Sequence, residues 1–234
     1  MALVTGASSD IGQAISRELL RLGARVFLLG RRRHRLAEIA AVAPDRAEIL
    51  ATDLSREGAA CQVLHSISRA GRLDILVLGS GIYERSDDPD ALARQIAANV
   101  LSPYSLLRQA LPLLCRAHGQ IVFVNSTQGI SAAKNVGQFA ATQHAMRAIA
   151  DSVRAEVESS GVRVATVFLG RTATERQKSI FELESRPYTP STLVQPQDVA
   201  DLVTNLLQLS RTAQVTEITL RPMQNSSASV APAP

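Results

Sequence analysis

The sequence predicts an α/β fold in which a doubly wound parallel sheet of seven strands carries helices on both of its faces. Short apolar runs rich in Val, Ile and Leu alternate with amphipathic stretches, which is typical of β-α-β units around a buried parallel sheet. The 234 residues suffice for one such domain. We expect the strands at Ala2–Thr5, Arg25–Leu29, Glu48–Ala51, Asp74–Leu78, Gln120–Asn125, Arg163–Phe168 and Val215–Leu220.

Apolar residues at helical spacing predict the helices that connect these strands. They recur every three or four residues in 11–22 and again in 199–206, and Pro196 stands where the second of these helices would begin. We therefore expect a single domain over residues 1–224. The last segment, 225–234, reads NSSASVAPAP and is too poor in apolar residues to order itself, so we expect a disordered tail.

Composition argues against a membrane, nucleic-acid or metal-binding function. No apolar run approaches about 18 residues and the first strand starts at Ala2, so we expect no signal peptide or membrane span and a cytoplasmic location. The net charge is +4, but only 31–35 is densely basic and aromatic residues are few, which does not favour nucleic acid. Cys61 and Cys115 stand far apart without a His or Cys cluster, so we expect two buried thiols and no metal site.

A glycine-containing loop follows the first strand and opens directly into a helix. It reads Thr5-Gly6-Ala7-Ser8-Ser9-Asp10-Ile11-Gly12. Glycines at such a turn let the backbone approach a pyrophosphate, and the helix N-terminus offers free N–H groups and partial positive charge. The position of this loop predicts a dinucleotide site.

A second informative segment is 119–146, GQIVFVNSTQGISAAKNVGQFAATQHAM. Its apolar run delivers Ser126 to a strand end, and Phe139 opens an Ala-rich helix with Gln143 one turn further on. In spacing and in the trailing His-Ala-Met, this segment resembles the short-chain dehydrogenase/reductase family. The resemblance covers nearly the whole chain and implies a Rossmann-like fold that binds a nicotinamide dinucleotide.

The glycine loop resembles the family pattern TGxxxGxG at Gly6 and Gly12, with Asp10 in place of the middle glycine. We expect the Asp10 carboxylate to cap the first helix and to weaken phosphate binding modestly by like charge. The resemblance also places Leu78-Gly79-Ser80-Gly81 at the usual Asn-Asn-Ala-Gly, and Leu169 to Thr174 at the usual Pro-Gly-x-x-x-Thr. The cofactor-binding residues that it implies are Gly6, Ser8, Ser9, Asp10, Ile11, Gly12, Gly30, Arg31, Arg32, Asp53, Leu54, Gly79, Ser80, Gly81, Gly170, Thr172 and Thr174.

The residues after the second strand favour NADP(H) over NAD(H). Relatives that prefer NAD carry an acidic residue at this strand end to accept the ribose hydroxyls, and Gly30 lacks that carboxylate. Arg31 instead offers a guanidinium fork for a 2′-phosphate, with Arg32 beside it. Asp53 and Leu54 follow the third strand, where relatives contact the adenine.

The chemical site of the family consists of a Ser that holds the substrate oxygen, a Tyr that supplies the proton, and a Lys that lowers the pKa of that Tyr. Here the corresponding positions hold Ser126, Phe139 and Gln143, so only the Ser is retained. Asn99 matches the family asparagine that holds a relay water, and we expect a structural role for it. His144 is turned about 100° away from Gln143 on a helix, which makes bound water a better surrogate donor.

Three functions agree with these residues. The first is a nucleotide-binding homologue, weak or inactive as a conventional reductase, that acts as a sensor or partner subunit. The second is an active NADP(H)-dependent oxidoreductase on a small carbonyl or alcohol, using Ser126 and a water-mediated proton. The third is a cofactor-free structural protein, for which Asp10 and Leu78 are the supporting residues.

In relatives, helices equivalent to 91–118 and 139–159 form dimer and tetramer interfaces, so we expect a homo-oligomer, with contacts from Leu101, Leu106, Leu107 and the Ala-rich face of residues 139–150.

Overall fold

The computed structural model describes residues 1–86 and 88–223 and contains the predicted seven-stranded parallel sheet. The strand order is β3-β2-β1-β4-β5-β6-β7. The strands are β1 Ala2–Thr5, β2 Val26–Gly30, β3 Ala47–Ala51, β4 Ile75–Leu78, β5 Gln120–Ser126, β6 Arg163–Leu169 and β7 Glu217–Leu220. The helices are α1 Asp10–Arg21, α2 Arg33–Ala40, α3 Ala59–Arg69, α4 Pro89–Ile96, α5 Ser102–Arg116, α6 Gly137–Val157, α7 Glu175–Leu183 and α8 Pro196–Gln208.

Two separate apolar cores cover the two faces of the sheet. Successive strand residues point to opposite faces, so Leu3 of β1 packs with α3, α5 and α6, whereas its neighbour Val4 packs with α1, α2 and α8. The central strands are buried on both faces and read as continuous apolar runs for that reason.

The strand order reverses between β1 and β4, and this reversal positions the functional site. From β1 the chain runs outward through β2 to β3, then crosses back to β4 on the other side of β1. Thr5 lies in register with Leu29 of β2 and with Leu78 of β4, so these three strands end at the same edge. In open α/β sheets, ligands bind in the crevice beside the carboxyl ends of strands at such a point.

One π-helical turn, Ala97–Leu101, joins α4 and α5 into a single rod that we predicted as one helix. Such turns are rare in proteins, and those that occur often lie at functional sites. This one carries Asn99, which is buried. The predicted helix 139–159 begins two residues earlier, at Gly137, and ends at Val157.

Several expectations about individual side chains were wrong, including the full burial of Cys115, which is half-buried. Leu106 and Leu107, predicted at a subunit interface, are fully buried in the core of the chain itself, because they face the sheet from α5. Cys61 is exposed rather than buried. The described residues contain no cluster of metal-ligating side chains and no helix long and apolar enough to cross a membrane. The predicted tail 225–234 lies outside the described residues.

We predict that Gly12→Ala destabilises the fold by roughly 2 kcal/mol or more, because overpacked sites of this kind must shift the backbone. A Cβ atom at Gly12 would lie 2.2 Å from the carbonyl oxygen of Gly6. Gly137→Ala is the matched control, since a Cβ there meets nothing within 4 Å, and it should stabilise the protein by about 0.5 kcal/mol. Urea unfolding measures both, and an unchanged midpoint for Gly12→Ala would contradict this packing.

Candidate functional site

A cavity of about 520 Å³ opens where the carboxyl ends of β1, β4, β5 and β6 meet. The N-terminus of α1 closes one end of it, and the segment 170–184 runs along its rim. Of the residues predicted from sequence, the cavity is lined by Ser9, Asp10, Ile11, Gly12, Arg32, Gly79, Ser80, Gly81, Asn99, Ser126, Phe139, Gln143, Gly170, Thr172 and Thr174. The remaining predicted residues, Gly6, Ser8, Gly30, Arg31, Asp53 and Leu54, are not among the residues that line it.

The glycine loop is held against the β4 end by close backbone packing. Gly6 has a φ of +69°, and a Cβ atom there would lie 2.6 Å from the carbonyl oxygen of Gly79. Thr5 supports the same contact, because its hydroxyl oxygen accepts N–H bonds from Gly79 and Ser80 at 3.0 and 3.1 Å. Gly6 thus shapes the floor of the site without facing its interior.

Asp10 does not cap α1 as we expected. Ser9 is the N-cap residue, and its hydroxyl oxygen accepts the Gly12 N–H at 3.1 Å. The Asp10 carboxylate instead accepts the backbone N–H of Glu175, the first residue of α7, at 2.8 Å. Ser9 can take the cap because it precedes the helix in extended backbone, whereas Asp10 already lies inside the first turn.

Three of the arginines after β2, Arg31, Arg32 and Arg35, form ion pairs. Arg31 lies 3.9 Å from the Asp53 carboxylate, away from the cavity, and Asp53 also accepts two bonds from Ser55. Arg32 lines the cavity, donating to the Ser8 carbonyl at 2.6 Å and to the Glu175 carboxylate at 3.0 Å. The guanidinium that faces the site is therefore that of Arg32 rather than that of Arg31.

Ser126 ends β5 at the cavity wall. Its hydroxyl oxygen accepts the Gln128 N–H at 3.2 Å, and its own N–H donates to the Asn125 side chain at 2.6 Å. Asn125 also donates to the Gln143 carbonyl at 3.0 Å, which ties the end of β5 to α6. Within the described part of the chain the Ser126 hydroxyl hydrogen has no acceptor, so it can bond an oxygen atom in the cavity.

Phe139 and Gln143 line the cavity one helical turn apart on α6. Neither side chain carries an acidic or cationic group. The Gln143 amide donates to the Thr142 hydroxyl at 3.3 Å, and Thr142 in turn donates to the Phe139 carbonyl at 2.7 Å. His144 bonds the Ala140 carbonyl at 3.0 Å and is not among the lining residues.

Asn99 braces the wall of the cavity. Its side-chain oxygen accepts the Ile82 N–H at 2.7 Å, and its amide donates to the Ile82 carbonyl at 2.9 Å and to Thr142 at 3.1 Å. These bonds connect the loop after β4 to α6 through the π-helical turn. Because all of its polar atoms are bonded within the protein, the side chain has a structural role in this arrangement.

The model of the family described as short chain dehydrogenase matches residues 1–185. This chain belongs to the short-chain dehydrogenase/reductase family. An uncharacterized oxidoreductase of Staphylococcus epidermidis is 30% identical over 229 residues, covering 95% of this chain and 97% of the relative. An uncharacterized short-chain type dehydrogenase/reductase of Sinorhizobium fredii is 31% identical over 237 residues, covering 95% of this chain and 91% of the relative.

Solved structures of short-chain dehydrogenases/reductases share the architecture. A metagenomic short-chain oxidoreductase in complex with NADP is 30% identical with a TM-score of 0.79, and 96% of this chain and 97% of that chain are covered. An alcohol dehydrogenase from the archaeon Thermococcus sibiricus, complexed with 5-hydroxy-NADP, is 25% identical with a TM-score of 0.81 over 95% of this chain and 96% of that one.

Two orphaned polar atoms indicate that the cavity of this short-chain dehydrogenase/reductase suits a polar ligand. Among the described residues, four buried side-chain polar atoms have no hydrogen-bond partner, and two of them, the Ser80 hydroxyl and the Arg171 Nη1 atom, belong to residues that line the cavity. Buried polar groups are normally bonded, so each calls for an explanation. Together with the N-terminus of α1, they fit a ligand that carries phosphate and hydroxyl groups.

Tyr83 is a cavity residue that the sequence analysis missed. Its ring packs edge-on against that of Phe139 with 5.2 Å between centroids, so a phenol ring lies in contact with Phe139 at the cavity. Burial raises the pKa of this phenol above its usual value, Arg85 opposes the rise, and Glu184 adds to it. The phenol is therefore protonated at neutral pH. Its position two residues after Gly81, in the loop that follows β4, was the signal available in the sequence.

Proposed function

We propose that this chain is an NADP(H)-binding short-chain dehydrogenase/reductase homologue that is weak or inactive as a conventional reductase. It would act as a cofactor-binding sensor or as a partner subunit. The observation that carries the proposal is the pair Phe139 and Gln143, which line the same cavity as Ser126 where the family motif has Tyr and Lys. The binding architecture and Ser126 are kept, while the groups that move and tune a proton are absent from these two positions.

Dinucleotide binding is supported by the construction of the crevice. The N–H groups at the start of α1 and the Ser80 hydroxyl would hold the phosphates, and Gly170 and Thr174 would meet the nicotinamide amide. A bound nicotinamide supplies or accepts a hydride. Solved relatives contain NADP or a derivative of it in this fold.

NADP(H) is the proposed form because cations, and no strand-end carboxylate, follow β2. Gly30 provides no acceptor for ribose hydroxyls, and a side chain there would crowd Ser8, whose Oγ would lie 2.7 Å from the added Cβ. Arg32 faces the cavity and Arg35 stands one turn further along α2. Two guanidinium groups suit a 2′-phosphate better than a neutral ribose.

The proton step is weakened for a simple chemical reason. Reducing a carbonyl requires an acid beside the developing alkoxide. Phe139 has the shape of Tyr but no hydroxyl, and Gln143 has no charge that could lower a neighbouring pKa. A general acid typically contributes 10²–10⁴-fold in rate, so losing it removes most but not all of the acceleration.

We also propose a homodimer or homotetramer that uses helices 91–118 and 139–159. Leu101 and Tyr104 lie on the first of these and are exposed in the single chain at 58% and 42%. Such apolar side chains at a helix surface suit a helix-to-helix contact between copies.

Dinucleotide binding predicts that NADPH raises the melting temperature by several degrees and NADH by less, since a ligand that binds only the native state stabilises it. Arg32→Ala should reduce the difference between the two, because Arg32 is one of the two guanidinium groups proposed to hold the 2′-phosphate. Arg33→Ala is the matched control, because Arg33 is exposed and makes no ion pair within the described residues. If neither dinucleotide changes the melting temperature, the cofactor-free structural protein becomes the better account.

Restoring the family residues tests whether the rest of the site is intact. The double variant Phe139→Tyr with Gln143→Lys should increase NADPH-dependent carbonyl reduction by about 10²–10⁴-fold, because it returns an acid and the cation that tunes it. Phe139→Tyr alone is the control and should gain less. A folded double variant that binds NADPH without any gain would show that the pocket has been remodelled.

A second candidate function is an active NADP(H)-dependent reductase, and Tyr83 favours it. Its phenol lines the cavity that also holds Ser126, and its ring contacts Phe139. In such a reaction Ser126 would bond the carbonyl oxygen, and the proton would come from water or from this phenol. A phenol whose pKa lies above the usual value keeps its proton through neutral pH and serves as a donor there.

If Tyr83 takes part, Tyr83→Phe should lower carbonyl reduction about tenfold or more while NADPH affinity stays unchanged. Tyr104→Phe is the control, because Tyr104 is exposed on α5 and not among the lining residues. NADPH oxidation over a panel of activated ketones and quinones measures both. Equal rates for Tyr83→Phe and the parent protein would leave water as the donor.

A further inference from the structure

The first residue of α7 is tied to two loops at one end of the cavity. The Glu175 carboxylate pairs with Arg32 at 3.0 Å and with Arg35, both of which follow β2. The Glu175 backbone N–H donates to Asp10 at 2.8 Å, at the start of α1. One residue therefore connects the glycine loop, the basic segment after β2 and the helix along the rim of the cavity.

The ion pairs occupy the same guanidinium groups that a 2′-phosphate would need. Arg32 uses Nη1 for Glu175 and Nη2 for the Ser8 carbonyl, and Arg35 uses Nη2 for Glu175. Arg32 holds the pKa of the Glu175 carboxyl below its usual value, and Arg35 adds to this effect. The carboxylate is thus ionised at neutral pH and occupies the two guanidinium groups to which the proposed function assigns the 2′-phosphate.

We propose that Glu175 is a specificity-determining residue whose carboxylate competes with the 2′-phosphate of NADP(H) for Arg32 and Arg35. This inference rests on the proposed dinucleotide binding. A phosphate monoester carries more charge than a carboxylate and forms stronger bonds with Arg, so it displaces Glu175 when it binds. NAD(H) has no such group and leaves the ion pairs in place.

The competition makes the position of α7 depend on which dinucleotide is bound. Glu175 lines the cavity together with Arg176, Gln177 and Ile180 of the same helix. Once the carboxylate leaves Arg32 and Arg35, Glu175 loses its connection to the segment after β2 and keeps its backbone bond to Asp10. NADP(H) therefore loosens the start of α7, whereas NAD(H) does not. This is the differential response that a sensor of the 2′-phosphate requires.

A carboxylate at this place could act in the opposite sense by accepting the ribose hydroxyls of NAD(H), which Gly30 cannot do. The two roles differ in which dinucleotide they affect and in whether they weaken or strengthen its binding. A competitor of the 2′-phosphate weakens NADP(H) binding and is neutral toward NAD(H). An acceptor for ribose hydroxyls strengthens NAD(H) binding.

Calorimetric titration of Glu175→Gln with NADP⁺ and NAD⁺ separates these roles without relying on activity. We expect NADP⁺ to bind about three- to tenfold more tightly than to the parent protein, because each exposed ion pair is weak, and NAD⁺ affinity to stay unchanged. Glu182→Gln is the matched control. It removes the same charge from the same helix at an exposed residue that makes no ion pair within the described part of the chain.

Hydrogen exchange of residues 175–180 supplies the second readout. In the parent protein NADP⁺ should speed exchange there relative to NAD⁺, and Glu175→Gln should show fast exchange with either. Three results would overturn this inference while leaving dinucleotide binding in place. They are an unchanged NADP⁺ affinity in Glu175→Gln, an equal gain of NADP⁺ affinity in Glu182→Gln, and a loss of NAD⁺ affinity in Glu175→Gln. If neither dinucleotide binds to the parent protein or to any of the variants, the proposed function is overturned together with this inference.

Discussion

The Thr5 hydroxyl fixes the geometry on which the rest of the site depends. It accepts N–H bonds from Gly79 and Ser80 and thereby joins the end of β1 to the loop after β4, where the strand order of the sheet reverses. Gly6 completes the contact, since no side chain fits between it and the Gly79 carbonyl. The crevice, the N-terminus of α1 and the cavity wall all follow from this one close approach.

Around this fixed crevice, the structure separates positioning from proton transfer. Asn125 and Asn99 hold β5, the loop after β4 and α6 in place through five hydrogen bonds, so that Ser126 and α6 keep their mutual arrangement. The two residues that would carry proton chemistry can change without disturbing these bonds, because Phe139 and Gln143 face the cavity. The loss of catalytic residues that we propose is therefore compatible with an intact scaffold.

The sequence was sufficient to predict the sheet, because buried parallel strands require apolar runs. It was also sufficient to predict the strand and the helix of the segment 119–146, because the spacing from Ser126 to Phe139 is local. It was insufficient where two distant segments meet. The bond from Glu175 to Asp10 joins residues 165 positions apart, and nothing near Asp10 announces it. Tyr83 was overlooked for the same reason, since its partner Phe139 lies on a different element. Leu106 and Leu107 were misjudged because an apolar helix residue looks alike whether it faces its own sheet or another subunit.

A crystal structure of the protein crystallised with NADPH tests most directly whether this scaffold binds a dinucleotide beside Phe139 and Gln143. We predict density for a dinucleotide along the cavity, with its pyrophosphate at the N-terminus of α1 and its nicotinamide near Ser126 and Phe139. Crystals grown at saturating NADPH that show no dinucleotide in the cavity would contradict this account.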